Sequence, residues 1–429
     1  MAQNAEADAL IAFLNQSPTP FHAVEAAAAH LRAAGATPLN EKEAWSLKAG
    51  QTVWVERNRS SLLAFRLPTD PSAAGLKLRI LAAHTDSPCL KLKPNPPPPS
   101  ANWSQWGVEV YGGVLFNSWL DRDLGIAGRV SRLEPDGSVR SRLVRMEDKA
   151  FRIPQLAIHL DRGVNESGLI LNAQRHLVPV MGLSDSGGAG FEGRLAEAAG
   201  GPLGSFSFEL MLHDRTPAGY GGMDDEFIFS GRLDNLAMSH AALAAFLAAP
   251  PARETVQAIA LFDHEEVGSV SAQGASSNLL SSALERVLLA LGRDRDGVLA
   301  ALARSHLVSA DMAHAIHPNY PEKHEPTHFP LVGHGPVLKA NAGQRYATNA
   351  ETAALFRGLC RRADVPVQDF VTRTDLACGT TIGPHVAAAL GIPTVDVGNP
   401  MLSMHSAREM CGSEDHGMMI RVMREFLKD

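Results

Sequence analysis

The sequence predicts an α/β fold, a sheet covered by helices on both faces and interrupted by a mostly β segment. Three observations carry this. Beyond Asp234, strand-like and helix-like stretches alternate, the pattern that places helices on both sides of a sheet. The first 90 residues fit the same domain. Between the two lies a proline run, Lys93-Pro94-Asn95-Pro96-Pro97-Pro98-Pro99-Ser100, which can extend neither helix nor sheet and marks a boundary.

Taken in order, residues 5–15 and 20–34 have the spacing and alanine content of helices, and 53–67 and 76–83 read as strands. After the proline run, residues 108–116 are strand-like. Residues 128–133 and 139–146 alternate apolar and polar side chains around Pro135-Asp136-Gly137, which predicts a hairpin. Residues 156–160 and 167–171 read as further short strands, and a glycine-rich stretch at 217–222 closes the segment. The expected organisation is one domain from residues 1–89 plus 229–429, with 90–228 inserted as a β-rich unit. In the returning part, residues 235–249, 276–291 and 351–363 read as helices. Thr255–Phe262, His306–Ala310, 367–373 and 392–397 read as strands.

The composition is that of an ordinary folded, soluble chain: 429 residues, 45% hydrophobic and 20% charged. A net charge of −7 with no basic run argues against nucleic acid as a partner. An acidic average still permits an acidic substrate, because a local basic pocket overrides it. Residues 1–14 carry Glu6 and Asp8 and no basic start, so they do not read as a signal peptide. The longest apolar run, near residues 241–250, is too short to span a membrane. Cys89, Cys360, Cys378 and Cys411 form no CxxC pair and read as free thiols in a reducing cytoplasm.

Chemistry concentrates in Asp263-His264-Glu265-Glu266, directly after the apolar run Thr255–Phe262. Acidic residues at a strand's C-terminal edge sit where α/β folds place active sites. Two adjacent carboxylates repel and resist burial, and a cation removes that cost. Four other places carry similar side chains. His84 and Asp86 share a face of an extended chain, so the aspartate can orient the imidazole for a metal, although most His-x-Asp pairs are surface residues. Asp234 precedes a helix and by itself reads best as its N-cap. Asp311 ends an apolar strand and is open to the same reading, with His314 and His317 as plain loop residues. His405, between methionines, would by itself be a partly buried histidine with satisfied hydrogen bonds.

Together, and in this order, these segments resemble the aspartyl aminopeptidases, binuclear zinc exopeptidases of peptidase family M18. The matching motifs are His-Thr-Asp-Ser-Pro, Arg-Leu-Asp-Asn, Glu-Glu-Val-Gly-Ser, Ser-Ala-Asp-Met-Ala-His and Met-His-Ser-x-Arg-Glu-Met, spread over residues 84–410. The resemblance implies the mixed twisted sheet of a zinc-peptidase/phosphorylase-like core and an inserted dimerisation domain. It implies two zinc ions per subunit, held by His84, Asp234, Glu266, Asp311 and His405, with Asp234 between the ions. Glu265 takes the place of the general base, Asp86 that of the partner of His84, and a cis peptide follows Asp234. Two histidines and three carboxylates also suit manganese or cobalt.

The implied reaction is removal of an N-terminal Asp or Glu from short peptides by a metal-activated water. Lys339 is the candidate for the acidic side chain, with Tyr346 beside it; by itself Lys339 reads better as an exposed strand-end lysine. His159 resembles a histidine that the family projects into a neighbouring subunit's active site, within dimers that build a tetrahedral dodecamer. Three rival readings stand at this point. They are a preference for neutral N-terminal residues, a related binuclear deacylase or carboxypeptidase, and a metal-stabilised assembly or cargo-binding protein.

Overall fold

The apolar run Thr255–Phe262 forms a fully buried strand near the middle of a nine-stranded sheet. In this computed structural model, which describes residues 4–98, 101–184, 190–202, 204 and 206–428, the sheet runs Thr37–Pro38, Thr52–Arg57, Ser61–Arg66, Thr255–Phe262, Lys77–His84, His306–Ala310, Thr394–Gly398, Val337–Lys339 and Gln368–Phe370. Thr255–Phe262, Lys77–His84, His306–Ala310 and Thr394–Gly398 are parallel to one another. Antiparallel neighbours flank this block, so the sheet is mixed. Strands buried on both sides read as unbroken apolar runs, and the alternation along each central strand feeds two separate cores. Leu81, Ala83, Ile259, Leu261, Val308 and Val397 pack against the helices Ala5–Gln16, Pro20–Ala33, Leu233–Ala248, Ala350–Arg362 and Ser413–Phe426. Leu78, Ile80, Ala82, Ala258, Ala260 and Leu307 pack against Leu279–Ala290, Arg295–Ala303 and Ile382–Leu390.

The stretch read as strand over 53–67 is a hairpin. Asn58 and Arg59 take positive φ of 55° and 56°, which reverses the chain between Thr52–Arg57 and Ser61–Arg66. A five-stranded sheet of Val108–Tyr111, Cys89–Leu92, Phe206–Asp214, Leu124–Leu133 and Val139–Phe151 has its own apolar core, including Trp106, Ile126, Val144, Leu210 and Leu212. The hairpin predicted around Pro135-Asp136-Gly137 is present, with Leu133 opposite Val139. The proline run has no regular structure over Pro94–Pro98; Pro99 and Ser100 lie outside the described residues.

Two expected strands are absent. Residues 156–160 hold a 3₁₀ turn, Ile158–Leu160, with Leu156, Ile158 and Leu160 exposed. Their apolar side chains meet no partner strand, and exposed apolar residues of this kind do not by themselves make a β ladder. Residues 167–171 follow a one-turn helix, Val164–Ser167, that ends at Gly168 with φ of 82°. A smaller sheet of Gly219–Gly221, Phe227–Ser230, Glu409–Gly412, Pro400–Leu402 and Ala313–His314 borders the C-terminal edge of the large one. It brings the segments before Asp234 and around His405 towards the ends of the parallel strands.

Candidate metal centre

The acidic and imidazole residues of the centre sit at strand ends, at a helix start or in turns. His84 is the last residue of Lys77–His84, Asp311 follows His306–Ala310, and Glu265–Val267 forms a 3₁₀ turn just beyond Thr255–Phe262. Those strands are adjacent and parallel, so their ends converge. Asp234 lies at the start of Leu233–Ala248, after Arg232 in the left-handed region, and the Asp234–Asn235 peptide is cis. His405 stands in the turn between Pro400–Leu402 and Glu409–Gly412.

These side chains meet. His84 Nε2 is 3.6 Å from Asp234 Oδ1, 3.8 Å from Asp311 Oδ1 and 3.9 Å from Glu265 Oε2. His405 Nε2 is 3.4 Å from Asp234 Oδ2 and 3.5 Å from Glu266 Oε2. Three groupings bring one donor atom from each residue within 4.8 Å of the others: His84/Asp234/Asp311, Asp234/Glu266/His405 and His84/Glu265/Glu266. The first two share Asp234 as their common member.

Both imidazoles are fixed with the same tautomer. His84 Nδ1 lies 3.0 Å from the Asp86 carbonyl oxygen, and His405 Nδ1 lies 2.9 Å from the Gly113 carbonyl oxygen. A carbonyl only accepts, so each Nδ1 carries the proton and each Nε2 is left for a cation. Asp86 does more than orient His84. Its carboxylate accepts the backbone N–H groups of Glu265 at 3.2 Å and Glu266 at 3.1 Å, and the Tyr111 hydroxyl at 2.7 Å. Burial opposes its ionised form, but His84, Tyr111 and the Glu266 N–H hold it below the usual carboxylate range. One aspartate therefore ties a ligand-type histidine to both glutamates.

Sequence reasoning left Glu409 without a role. Its carboxylate, 2% exposed, accepts the backbone N–H of Asp234 at 3.2 Å and of His405 at 2.8 Å. Its place in the motif Met-His-Ser-x-Arg-Glu-Met was the available signal. Tyr111 and Gly113, from and beside the strand Val108–Tyr111, were also missed, and nothing local in the sequence marks them.

The electrostatics are those of a cation site. Asp234 Oδ1 and Glu266 Oε1 are buried without a hydrogen-bond partner, and buried acceptors left so are costly. Burial, then the charge of Asp234, pushes Glu266 well above the carboxylate range; burial pushes Glu265 to about 8. Burial would lower His405, but Asp234 raises it to about 8. Protons thus gather where positive charge is wanted, and divalent ions satisfy the same oxygens. The donor set, imidazole nitrogens and carboxylate oxygens, fits zinc.

The centre opens on a cavity of about 370 Å³ lined by Met312, His314, Lys339, Tyr346, Phe370 and Met404, among others. Lys339 is buried rather than exposed. Its Nζ donates to Met312 O at 3.1 Å, lies 3.9 Å from Asp311 Oδ2 and sits 5.1 Å over the Tyr346 ring. His159 is exposed in its 3₁₀ turn and does not line this cavity. No helix among the described residues is long and apolar enough to cross a membrane.

Comparison with known proteins agrees with this geometry. The family model "Aminopeptidase I zinc metalloprotease (M18)" matches residues 13–427. A probable M18 family aminopeptidase 2 of Ectopseudomonas mendocina is 45% identical over 97% of this chain and 96% of its own. A probable aspartyl aminopeptidase of Ricinus communis is 42% identical over 98% of this chain and 94% of its own. Among solved structures, the "Ape4 and Nbr1 complex" contains a chain that is 40% identical, with a TM-score of 0.93 over 99% of this chain and 86% of that one. The "S. cerevesiae mApe1 dodecamer" is 29% identical, with a TM-score of 0.84 over 99% of this chain and 96% of that one. The chain belongs to the M18 family of zinc metalloprotease aminopeptidases.

Proposed function

We propose that this aminopeptidase removes N-terminal Asp or Glu from short peptides, using two zinc ions held by His84, Asp311, Asp234, Glu266 and His405. The observation that carries the reading is a pair of three-residue clusters sharing Asp234, with orphaned oxygens on Asp234 and Glu266. Sharing Asp234 leaves Glu265 outside both clusters, so we favour these two over the grouping that uses Glu265 as a ligand. When bound, the ions supply Lewis acidity, a water of lowered pKa and a polarised carbonyl.

Glu265 is the base. It lies beside the clusters, its Oε2 is 3.9 Å from His84 Nε2, and its backbone N–H is fixed by Asp86. It takes the proton of the attacking water and returns it to the leaving amine. The neighbouring carboxylates also hold the free α-ammonium of the peptide. Glu265→Gln is expected to bind zinc as the wild type does while kcat falls roughly 10²- to 10⁴-fold. Wild-type kcat in that variant overturns the assignment.

The acidic preference rests on Lys339, whose ammonium has three donors and spends one on Met312 O. Tyr346 beneath it fixes its direction. The aspartyl aminopeptidase relative supports the same preference. We further read residues 90–228 as an inserted dimerisation unit that carries His159 to a partner's site, in a tetrahedral dodecamer acting in the cytoplasm. The dodecameric neighbour supports the assembly, and the apolar core of the second large sheet, drawn from residues 89–212 with only Phe21 and Ala407 added from elsewhere, supports the division.

A further inference from the structure

A second cavity, of about 300 Å³, continues from the first and shares His314, Tyr346, Phe370, Gly379 and Met404 with it. The metal end is dominated by Asp234, Glu265, Glu266 and Asp311. The formally charged residues lining the second cavity are Lys323, Arg373 and Glu325. Glu325 is committed to its own turn, accepting the Thr327 N–H at 2.9 Å and pairing with His328 Nδ1 at 2.7 Å. Arg373 pairs with Asp375 at 2.6 Å and donates to the Glu322 carbonyl. Lys323 is exposed and makes no ion pair or side-chain hydrogen bond among the described residues.

Two histidines of the same wall are also held as donors. His324 Nε2 accepts the His317 backbone N–H at 3.1 Å, which leaves the proton on Nδ1. His317 Nδ1 accepts the Asn319 N–H at 3.1 Å, which leaves the proton on Nε2. The continuous cleft is therefore acidic at the metal end, and its other end offers the Lys323 ammonium, whose charge also acts on Asp375, and two imidazole N–H donors. A short peptide has the matching polarity, an ammonium at one end and a carboxylate at the other.

We propose that the second cavity receives the part of the peptide beyond the cleaved bond and binds its free C-terminal carboxylate, with Lys323 as the principal cation. The inference rests on the aminopeptidase reading. An extended chain advances about 3.4 Å per residue, so the carboxylate reaches Lys323 at one favoured peptide length. Longer chains lose the contact, and the site selects short peptides even without a closed chamber.

The test compares matched Glu-(Ala)n peptides as free acids and as C-terminal amides, with zinc-loaded protein. The wild type is expected to show a KM about 3- to 10-fold lower for the acid at one length, the size of a hydrogen-bonded charge contact at an exposed site. Lys323→Ala brings that ratio near one and Lys323→Arg keeps it. Equal KM for acid and amide at every length overturns the inference, as does an undiminished ratio in Lys323→Ala. The wild-type comparison decides even if a variant fails to fold. A wild type that hydrolyses no free-amine peptide at all overturns the aminopeptidase reading instead, so the two failures are distinguishable.

Discussion

Replacing Glu409 with Gln tests whether the proposed metal ligands are held by a second layer of buried polar contacts. The glutamate touches no substrate-facing surface, yet its two oxygens accept the backbone N–H groups of Asp234 and His405. Glutamine keeps the shape and one accepting oxygen, and it turns an N–H₂ towards the other donor. One charge-assisted hydrogen bond is lost, worth about 1.5–3 kcal/mol, and a buried N–H is left unpaired. Zinc affinity is expected to fall roughly 10- to 100-fold, the usual cost of losing a partner behind a ligand. The effect depends on the metal. In the zinc-free chain, burial and then the charge of Asp234 push the Glu409 carboxyl up to about 8, towards the neutral form that an amide resembles. Cations held there would offset the charge of Asp234 and favour the carboxylate. Glu409→Gln should therefore destabilise the zinc-loaded protein by more than the zinc-free one. Competition against a fluorescent chelator gives the affinity, and thermal unfolding with and without zinc gives the difference. Wild-type affinity together with equal melting shifts in the two states refutes the reasoning.

Lys339→Ala should erase a preference for Glu- over Leu-linked chromogenic substrates, mainly through KM; a variant that still prefers Glu removes Lys339 from specificity. Mixing His159→Ala chains with Glu266→Ala chains should restore part of the activity if His159 serves a partner's site, and no complementation counts against that role. Stability should also fall on acidification through three buried histidines. Burial first, then Arg145 for His22, Arg232 for His213 and His30 for His240, lowers their values to about 3, 3 and 4. Depressed values mean that the folded state binds fewer protons, so their contribution is complete above the unfolded value of 6.5 and is lost as pH falls towards 3 to 4. Between pH 7.5 and 5.5 each costs on the order of 1.4 kcal/mol. Urea unfolding of zinc-free protein at the two values measures this, and a His22→Gln variant should show a correspondingly smaller loss.

The central strands were legible because burial on both faces writes itself as an unbroken apolar run. Thr255–Phe262 and His306–Ala310 were read with the bounds they have. The acidic and imidazole residues beyond such runs were legible for the same reason, since a parallel sheet gathers the ends of its strands. What failed was whatever depends on a distant partner. The apolar side chains of residues 156–160 look like a strand, but a strand exists only if another lies beside it. Lys339 reads as exposed because nothing local shows Met312, Asp311 and Tyr346 closing over it. The amphipathic helix Ser413–Phe426 went unread, although Met419, Val422, Met423 and Phe426 give it a buried face.

Glu409 and Tyr111 show where sequence reading stops for the site itself. Glu409 is 175 residues from the Asp234 N–H that it accepts, and Tyr111 is 25 residues from Asp86 across the proline run. Tyr111 and the Gly113 carbonyl belong to the segment that follows that run, so it supplies a donor to Asp86 and an acceptor to His405. The metal-type histidines are thus each oriented through that segment, His405 directly and His84 through Asp86. A segment that only carried a dimer contact would have no need to reach both. The parallel strands bring the carboxylates together, and Val108–Tyr111 with the loop after it adds the Gly113 carbonyl that fixes His405 and the Tyr111 hydroxyl that holds Asp86.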